Sequence, residues 1–348
     1  MKQRYVFSSL TRISDLPGRV FSLESLPRKE WATGDYVVGE VVSAPNRFSR
    51  IELTSGRMVE VAEGDLIVGA FSVRYATLEA VGGWQNIAHD RLMDVLTAAG
   101  LFGKATSRSA NMPPLLSLAY KGHVLVGDNK STMRDYVGEV PEREFGLPVV
   151  LLVGTSMSAG KTTSAKAIVR LLREAGLEVI GAKLTGAGRY RDILAMQDAG
   201  AERIFDFVDA GLPSTVVPEK EYRKALRRLL GRIAATDADV LVTEVGASPL
   251  EPYNGEAAIE EIGPNVRCTV LSASGPYAVA GVSAAFGSRP DLVTGLATST
   301  TAGIELIEKL SGIKALNVLD RSSLPQLREM LKCVAEPLEG LEKGTPAS

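Results

Sequence analysis

Residues 148–176, PVVLLVGTSMSAGKTTSAKAIVRLLREAG, divide into three parts. The apolar run 149–153 is too short for a helix and stands between Pro148 and Gly154, which predicts a buried parallel strand. A glycine-bearing loop, 154–163, follows it. The last part predicts an amphipathic helix, with Ala165, Ile168, Val169 and Leu172 on one face and Gly176 as its stop. Strand, loop, Lys-Thr pair and helix together are the layout of a phosphate-binding loop. Backbone N–H groups of the loop and first helical turn would point at phosphates, where the helix dipole favours negative charge. Lys161 would reach the β- and γ-phosphate oxygens, and the Thr162 hydroxyl would ligate Mg²⁺. The candidate cofactor-binding residues are Gly154, Thr155, Ser156, Ser158, Ala159, Gly160, Lys161, Thr162 and Thr163.

The strict pattern G-x-x-x-x-G-K-[ST] requires a glycine where this chain has Thr155; here the glycine sits one place earlier, at Gly154. In that register GTSMSAGKT resembles the GTxTxxGKT loop of dethiobiotin synthetase and the GTSSxAGKS-type loop of cobyrinic acid and cobyric acid synthases. The signature lysine of the ParA/MinD branch would fall at Ser156 and is missing, so the resemblance is to the ligase-like side of that superfamily. It covers roughly residues 148–320 and implies ATP and Mg²⁺ as cofactors. The C-terminal half also resembles an uncharacterised bacterial and archaeal group of P-loop proteins that carry a separate N-terminal domain.

Further along, residues 177–183 read as a second strand ending in Lys183, followed by Thr185, Gly186, Gly188, Arg189 and Arg191. The synthetases end this strand in a lysine facing the reacting centre, which makes Lys183, with Lys161, a candidate catalytic residue. A cation there would neutralise charge on a transferring phosphoryl group. The resemblance also implies an aspartate that helps hold Mg²⁺; Asp192 is preferred and Asp198 is the alternative, on a segment, 192–211, that reads as one or two helices. A strand from 240 ends in Glu244 before Gly246, which resembles the VxEGAGG strand end of the synthetases. Glu244 is therefore the second candidate metal ligand beside Thr162. Strands at 267–272, 291–296 and 315–319, with helices at 222–235 and 302–310, complete an alternating pattern. It predicts a mostly parallel α/β P-loop NTPase sheet with helices on both faces and ligands at the carboxyl ends of its strands, where the loop at 154, Lys183, Glu244 and Gly275 all fall.

Residues 35–84 instead predict short strands, with turns at Thr54-Ser55-Gly56 and Glu63-Gly64-Asp65, and hence a smaller β-rich barrel or sandwich. A helix is expected at 89–99, from Leu92, Val95 and Leu96, and a hairpin at 115–126. Polar candidates are Arg74, Tyr75, Lys104, Ser107, Arg108, Ser109, Asp128, Asn129 and Lys130, and the segment GKATSRSANMPP has the hydroxyls and cations to hold an anion. The charged, proline-bracketed stretch 135–148 marks a boundary, giving a β-rich module at 1–145, an NTPase domain at 146–335 and a polar, mobile tail at 336–348.

The formal net charge of −2 gives no general attraction to nucleic acid or to an acidic membrane. Two histidines exclude a histidine-rich metal site, and two distant cysteines, Cys268 and Cys333, fit a reduced cytoplasmic setting. The N-terminus has no apolar signal region, and no later run approaches ~18 uninterrupted apolar residues. The expected function is phosphoryl transfer to, or ligase-type activation of, a small acidic or hydroxylated metabolite. That small molecule is the expected partner, with homodimerisation as an option. The rival reading is an accessory NTPase like the one in molybdopterin guanine dinucleotide synthesis, whose N-terminal module binds a protein.

Overall fold

The computed structural model describes residues 4–44, 49–140, 143–246, 248–286 and 289–335; the tail read as mobile, 336–348, lies outside them. In the N-terminal half, strands β1 (Tyr36–Ser43), β2 (Leu66–Phe71), β3 (Leu92–Thr97), β4 (Leu101–Arg108) and β5 (Ser117–Val126) form a closed barrel in the order β2-β1-β5-β3-β4. The pairs are antiparallel except at the closure, where β4 runs parallel to β2 through Leu101 opposite Ala70. Closure removes the sheet edges, and side chains fill the small interior. Phe71, Met93, Phe102 and Leu118 pack there. Gly39 and Gly69 leave the room: a Cβ at Gly69 would lie 2.5 Å from Phe102.

Two expectations for this half are corrected. Residues 89–99 hold no helix; β3 lies between β4 and β5. Met93, Asp94, Val95 and Leu96 are all buried, so both faces of the strand are covered and the alternation that marks a half-buried strand is lost. The hairpin at 115–126 is one continuous strand, irregular beside Gly122. The turn at Gly56 is present, with φ of +79° between the short strands Arg50–Glu52 and Met58–Glu60.

The C-terminal half carries the expected parallel sheet. Its strands are β6 (Val149–Gly154), β7 (Val179–Thr185), β8 (Arg203–Asp206), β9 (Val240–Val245), β10 (Val266–Ser272) and β11 (Leu292–Thr294), in the order β8-β7-β9-β6-β10-β11. Seven helices are described: α1 (Lys161–Glu174), α2 (Tyr190–Asp198), α3 (Glu219–Ala234), α4 (Gly255–Ile262), α5 (Pro276–Phe286), α6 (Thr301–Ser311) and α7 (Leu324–Ala335). Alternate residues of β6 enter opposite cores, Val149, Leu151 and Val153 one, Val150 and Leu152 the other. Helices α1 and α7 cover the second core through Ile168, Val169, Leu327 and Leu331. Helices α3 and α4 cover the first through Leu226, Leu229, Ala258 and Ile262.

Two expectations for this half are corrected, and three helices add to them. The segment 192–211 contains only α2 as an α-helix, and Arg203–Asp206 is the edge strand β8, paired with β7. The expected strand at 315–319 is reduced to a single parallel bridge from Ala315 to Val293. Helices α4, α5 and α7 went unread.

The two halves share the first core, where Leu10, Leu16, Tyr36 and Met133 pack with Phe207, Val208 and Leu212. A buried guanidinium crosses the same boundary. Arg12 Nη2 donates to Asp206 Oδ1 at 2.7 Å and to Asp209 Oδ1 at 2.8 Å, and its plane lies 4.7 Å from the Tyr190 ring.

Candidate functional site

Strand β6 leaves the sheet at Gly154 between β9 and β10, so its loop opens at the carboxyl ends of its neighbours. The loop turns back over the start of α1. Gly160 has φ of +111°, a conformation costly for a residue with a Cβ, and Ser158 takes φ of +61°. Lys161 Nζ folds over the loop to donate to the Ser156 carbonyl at 3.0 Å. A Cβ at Gly154 would lie 2.6 Å from that Nζ and 3.2 Å from the Ser156 carbonyl oxygen, so the lysine packs directly on the Gly154 backbone. On the far side, Thr155 Oγ1 accepts from Ser274 N–H at 3.0 Å, and Ser164 Oγ lies 2.8 Å from Thr294 Oγ1.

Lys183 and Glu244 lie opposite each other in the register of β7 and β9. Lys183 Nζ donates to Asp192 Oδ2, in the first turn of α2, at 2.7 Å. Glu244 is 2% exposed and its Oε1 has no hydrogen-bond partner, an expensive state for a carboxylate. Burial, reinforced by Asp192, pushes Glu244 up to about 7 against the pull of Lys161 and Lys183. Burial lowers Lys161, with Glu244 acting against it. At Lys183 burial acts downward, but Asp192, together with Glu244 and Asp206, outweighs it and the pKa stands above the ordinary value. Burial acts to raise Asp192, and Lys183, with Arg189 and Arg191, overrides it, so that carboxylate is held below its usual range.

These groups surround a cavity of about 470 Å³. One wall is Ser158, Gly160, Lys161, Thr162 and Thr163, with Lys183, Asp192 and Glu244. Gly154, Thr155, Ser156 and Ala159 of the same loop do not line it. Asp198 is exposed at the other end of α2, which leaves Asp192 as the aspartate beside Lys183. Arg189 reaches the rim; Arg191 and Gly275 do not.

The opposite wall belongs to the barrel, through Arg74, Glu79, Leu96, Thr97, Met112 and Pro113. Of the polar residues singled out in that half, only Arg74 lines the cavity. In GKATSRSANMPP it is the Met-Pro-Pro end, 112–114, that faces it, while Ser107 and Arg108 extend along β4.

The residues present suit a magnesium-bound nucleotide. Among the described residues no three His, Cys, Asp or Glu side chains cluster as a metal cage. Mg²⁺ does not require such a cage, since it is usually held by one or two protein ligands with water and phosphate completing its shell. The unpartnered Oε1 of Glu244, the hydroxyl of Thr162 and the carboxylate of Asp192 are oxygen donors on this wall of the cavity.

No protein-family model matches the chain, and no curated protein matches it. Among solved structures it is similar to chloroplast FtsY from Physcomitrella patens, at 17% identity over 51% of this chain and 59% of that one, with a TM-score of 0.33. A DUF1611 family protein from Anabaena variabilis matches at 15% identity over 56% and 60%, with a TM-score of 0.33. The signal recognition particle 54 kDa protein from Aeropyrum pernix, solved in complex with GDP, matches at 17% over 57% and 53%, with 0.34. The chain thus spans 53–60% of the length of these three. The overlays are loose at these values; the fold is fixed by this chain's own strand order and loop. It is that of a P-loop NTPase, an α/β parallel sheet with an added β-rich region before it. Among the described residues no helix is long and apolar enough to cross a membrane.

Proposed function

We propose that the protein binds ATP with Mg²⁺ at the 154–163 loop and transfers the γ-phosphoryl group to a small metabolite seated against the barrel, as a kinase or as a ligase through an acyl or carbamoyl phosphate. The observation that carries this reading is the two-walled cavity, with Lys161, Lys183 and Glu244 on one side and an apolar wall bearing Arg74 and Glu79 on the other. Loop amides and Lys161 hold the β- and γ-phosphates. Thr162 and Glu244 hold the ion, which when bound neutralises phosphate charge. Lys183, kept protonated by Asp192, stabilises charge that gathers on the transferring group. The loop's likeness to the dethiobiotin synthetase and cobyrinic acid synthase loops supports ATP, as does the lack of a guanine-reading N/TKxD motif, with Asn317 and Asp320 as the residues that would favour GTP instead.

The rival, an NTPase switch read by a protein, is favoured by one observation. Tyr277 and Leu296, beside the loop, are 75% and 60% exposed.

The deciding experiment is ATP and GTP turnover by the purified protein with small-molecule and protein fractions of a cell extract supplied separately. Stimulation of ATP turnover by the small-molecule fraction is the expected result. Stimulation by the protein fraction alone, or of GTP turnover alone, would replace this reading with the switch.

A further inference from the structure

Helix α2 begins at the cavity without a side-chain cap of its own; Arg189 stands at its N-cap position. The orphan amides of its first turn go instead to a residue of the barrel half. Tyr190 N–H donates to Glu52 Oε2 at 2.8 Å and Arg191 N–H to Glu52 Oε1 at 2.9 Å. The Ser9 hydroxyl donates to the same Oε2 at 2.5 Å. Glu52 is 1% exposed, so all the solvation of this carboxylate is replaced by these three donors. A negative charge on a helix N-terminus is the favourable arrangement, both for the free amides and for the helix dipole. Two more contacts clamp the same segment. Thr97 Oγ1 donates to the Gly188 carbonyl at 3.2 Å. The turn at Gly56, next to Glu52 in its hairpin, packs on Leu194 so closely that a Cβ would lie 2.1 Å from Leu194 Cδ1. One residue beyond the capped amides is Asp192, joined to Lys183.

We propose that Glu52 is a positioning residue for the phosphate end of the site. By gripping the first turn of α2 it holds Asp192 on Lys183, within electrostatic reach of Glu244, and so makes the barrel half an integral part of that end. The proposal rests on the reading of Lys183, Asp192 and Glu244 as the groups that handle phosphate and Mg²⁺.

The test compares Glu52→Gln, Glu52→Asp, Asp192→Asn and the double variant Glu52→Gln/Asp192→Asn by two measurements. The first is amide hydrogen exchange of the ligand-free protein. Glu52→Gln should speed exchange at residues 190–192 at least tenfold and leave α3 unchanged, with Glu52→Asp, which keeps the charge, in between. The second is the Mg²⁺ concentration for half-maximal ATP binding. It should rise at least tenfold in Glu52→Gln, and adding Asp192→Asn should raise it less than threefold further, because both changes act on one group. Unchanged exchange at 190–192 overturns the proposal. So does faster exchange with an unaltered Mg²⁺ requirement, which would make Glu52 a purely structural cap. A wild type that binds no Mg·ATP sinks the functional reading itself, and the exchange measurement then still decides whether Glu52 anchors α2.

Discussion

Replacing Lys183 by alanine should lower substrate-stimulated turnover about 100- to 1000-fold, the usual cost of removing one preorganised charge from a transition state. The effect belongs in kcat, because charge accumulates near Lys183 only as the phosphoryl group moves, whereas Lys161 and the loop amides hold the ground state. The buried ion pair with Asp192 keeps the cation in place and protonated. Lys166, exposed on α1, is the control: Lys166→Ala should leave turnover within about twofold of wild type, the allowance for an exposed side chain away from the reacting atoms. Steady-state rates alongside Mg·ATP dissociation constants make the comparison. Turnover near the wild-type value for Lys183→Ala would reduce this residue to a strand-end charge.

The second large effect is on stability. Arg12→Ala removes the cation that bridges Asp206 and Asp209 and leaves two carboxylates facing a core shared by both halves. Breaking a buried pair in this way typically costs about 3–5 kcal/mol, a large part of the roughly 5–15 kcal/mol that holds a domain folded. Burial already pushes Asp209 up to about 6 with Arg12 present. Urea unfolding should therefore show a sharply lower midpoint for Arg12→Ala, partly restored by adding Asp206→Asn, which removes one stranded charge. A loss below about 1 kcal/mol would mean that the guanidinium behaves as an exposed surface pair does.

What could be read in advance was what is written locally. The loop 154–163 declares itself because strand, glycines, Lys161 and helix are contiguous. Glu244 declares itself because a carboxylate ends an apolar strand. Residues 89–99 were misread because Met93 and Asp94, which would sit on the polar side of a helix, are buried in the barrel, and a strand covered on both faces loses its period. Arg203–Asp206 was missed because a four-residue edge strand is too short to interrupt the helical pattern around it. The pairing of Lys183 with Asp192 joins two residues singled out separately, and Glu52 carries no local sign, since its partners are backbone amides 138 and 139 positions away. The second wall of the cavity was hidden for the same reason: a stretch such as Met112 to Pro114 gains meaning only when the halves are docked.

The central claim is that this loop binds a magnesium-bound nucleotide through Lys161, and calorimetric titration of Mg·ATP into wild type and Lys161→Ala tests it most directly. One molecule should bind per wild-type chain and binding should need Mg²⁺. Loss of a charged hydrogen-bond donor should weaken it roughly 10- to 100-fold in a variant whose unfolding midpoint stays close to wild type. Equal affinity in the two proteins, or binding indifferent to Mg²⁺, would contradict the account.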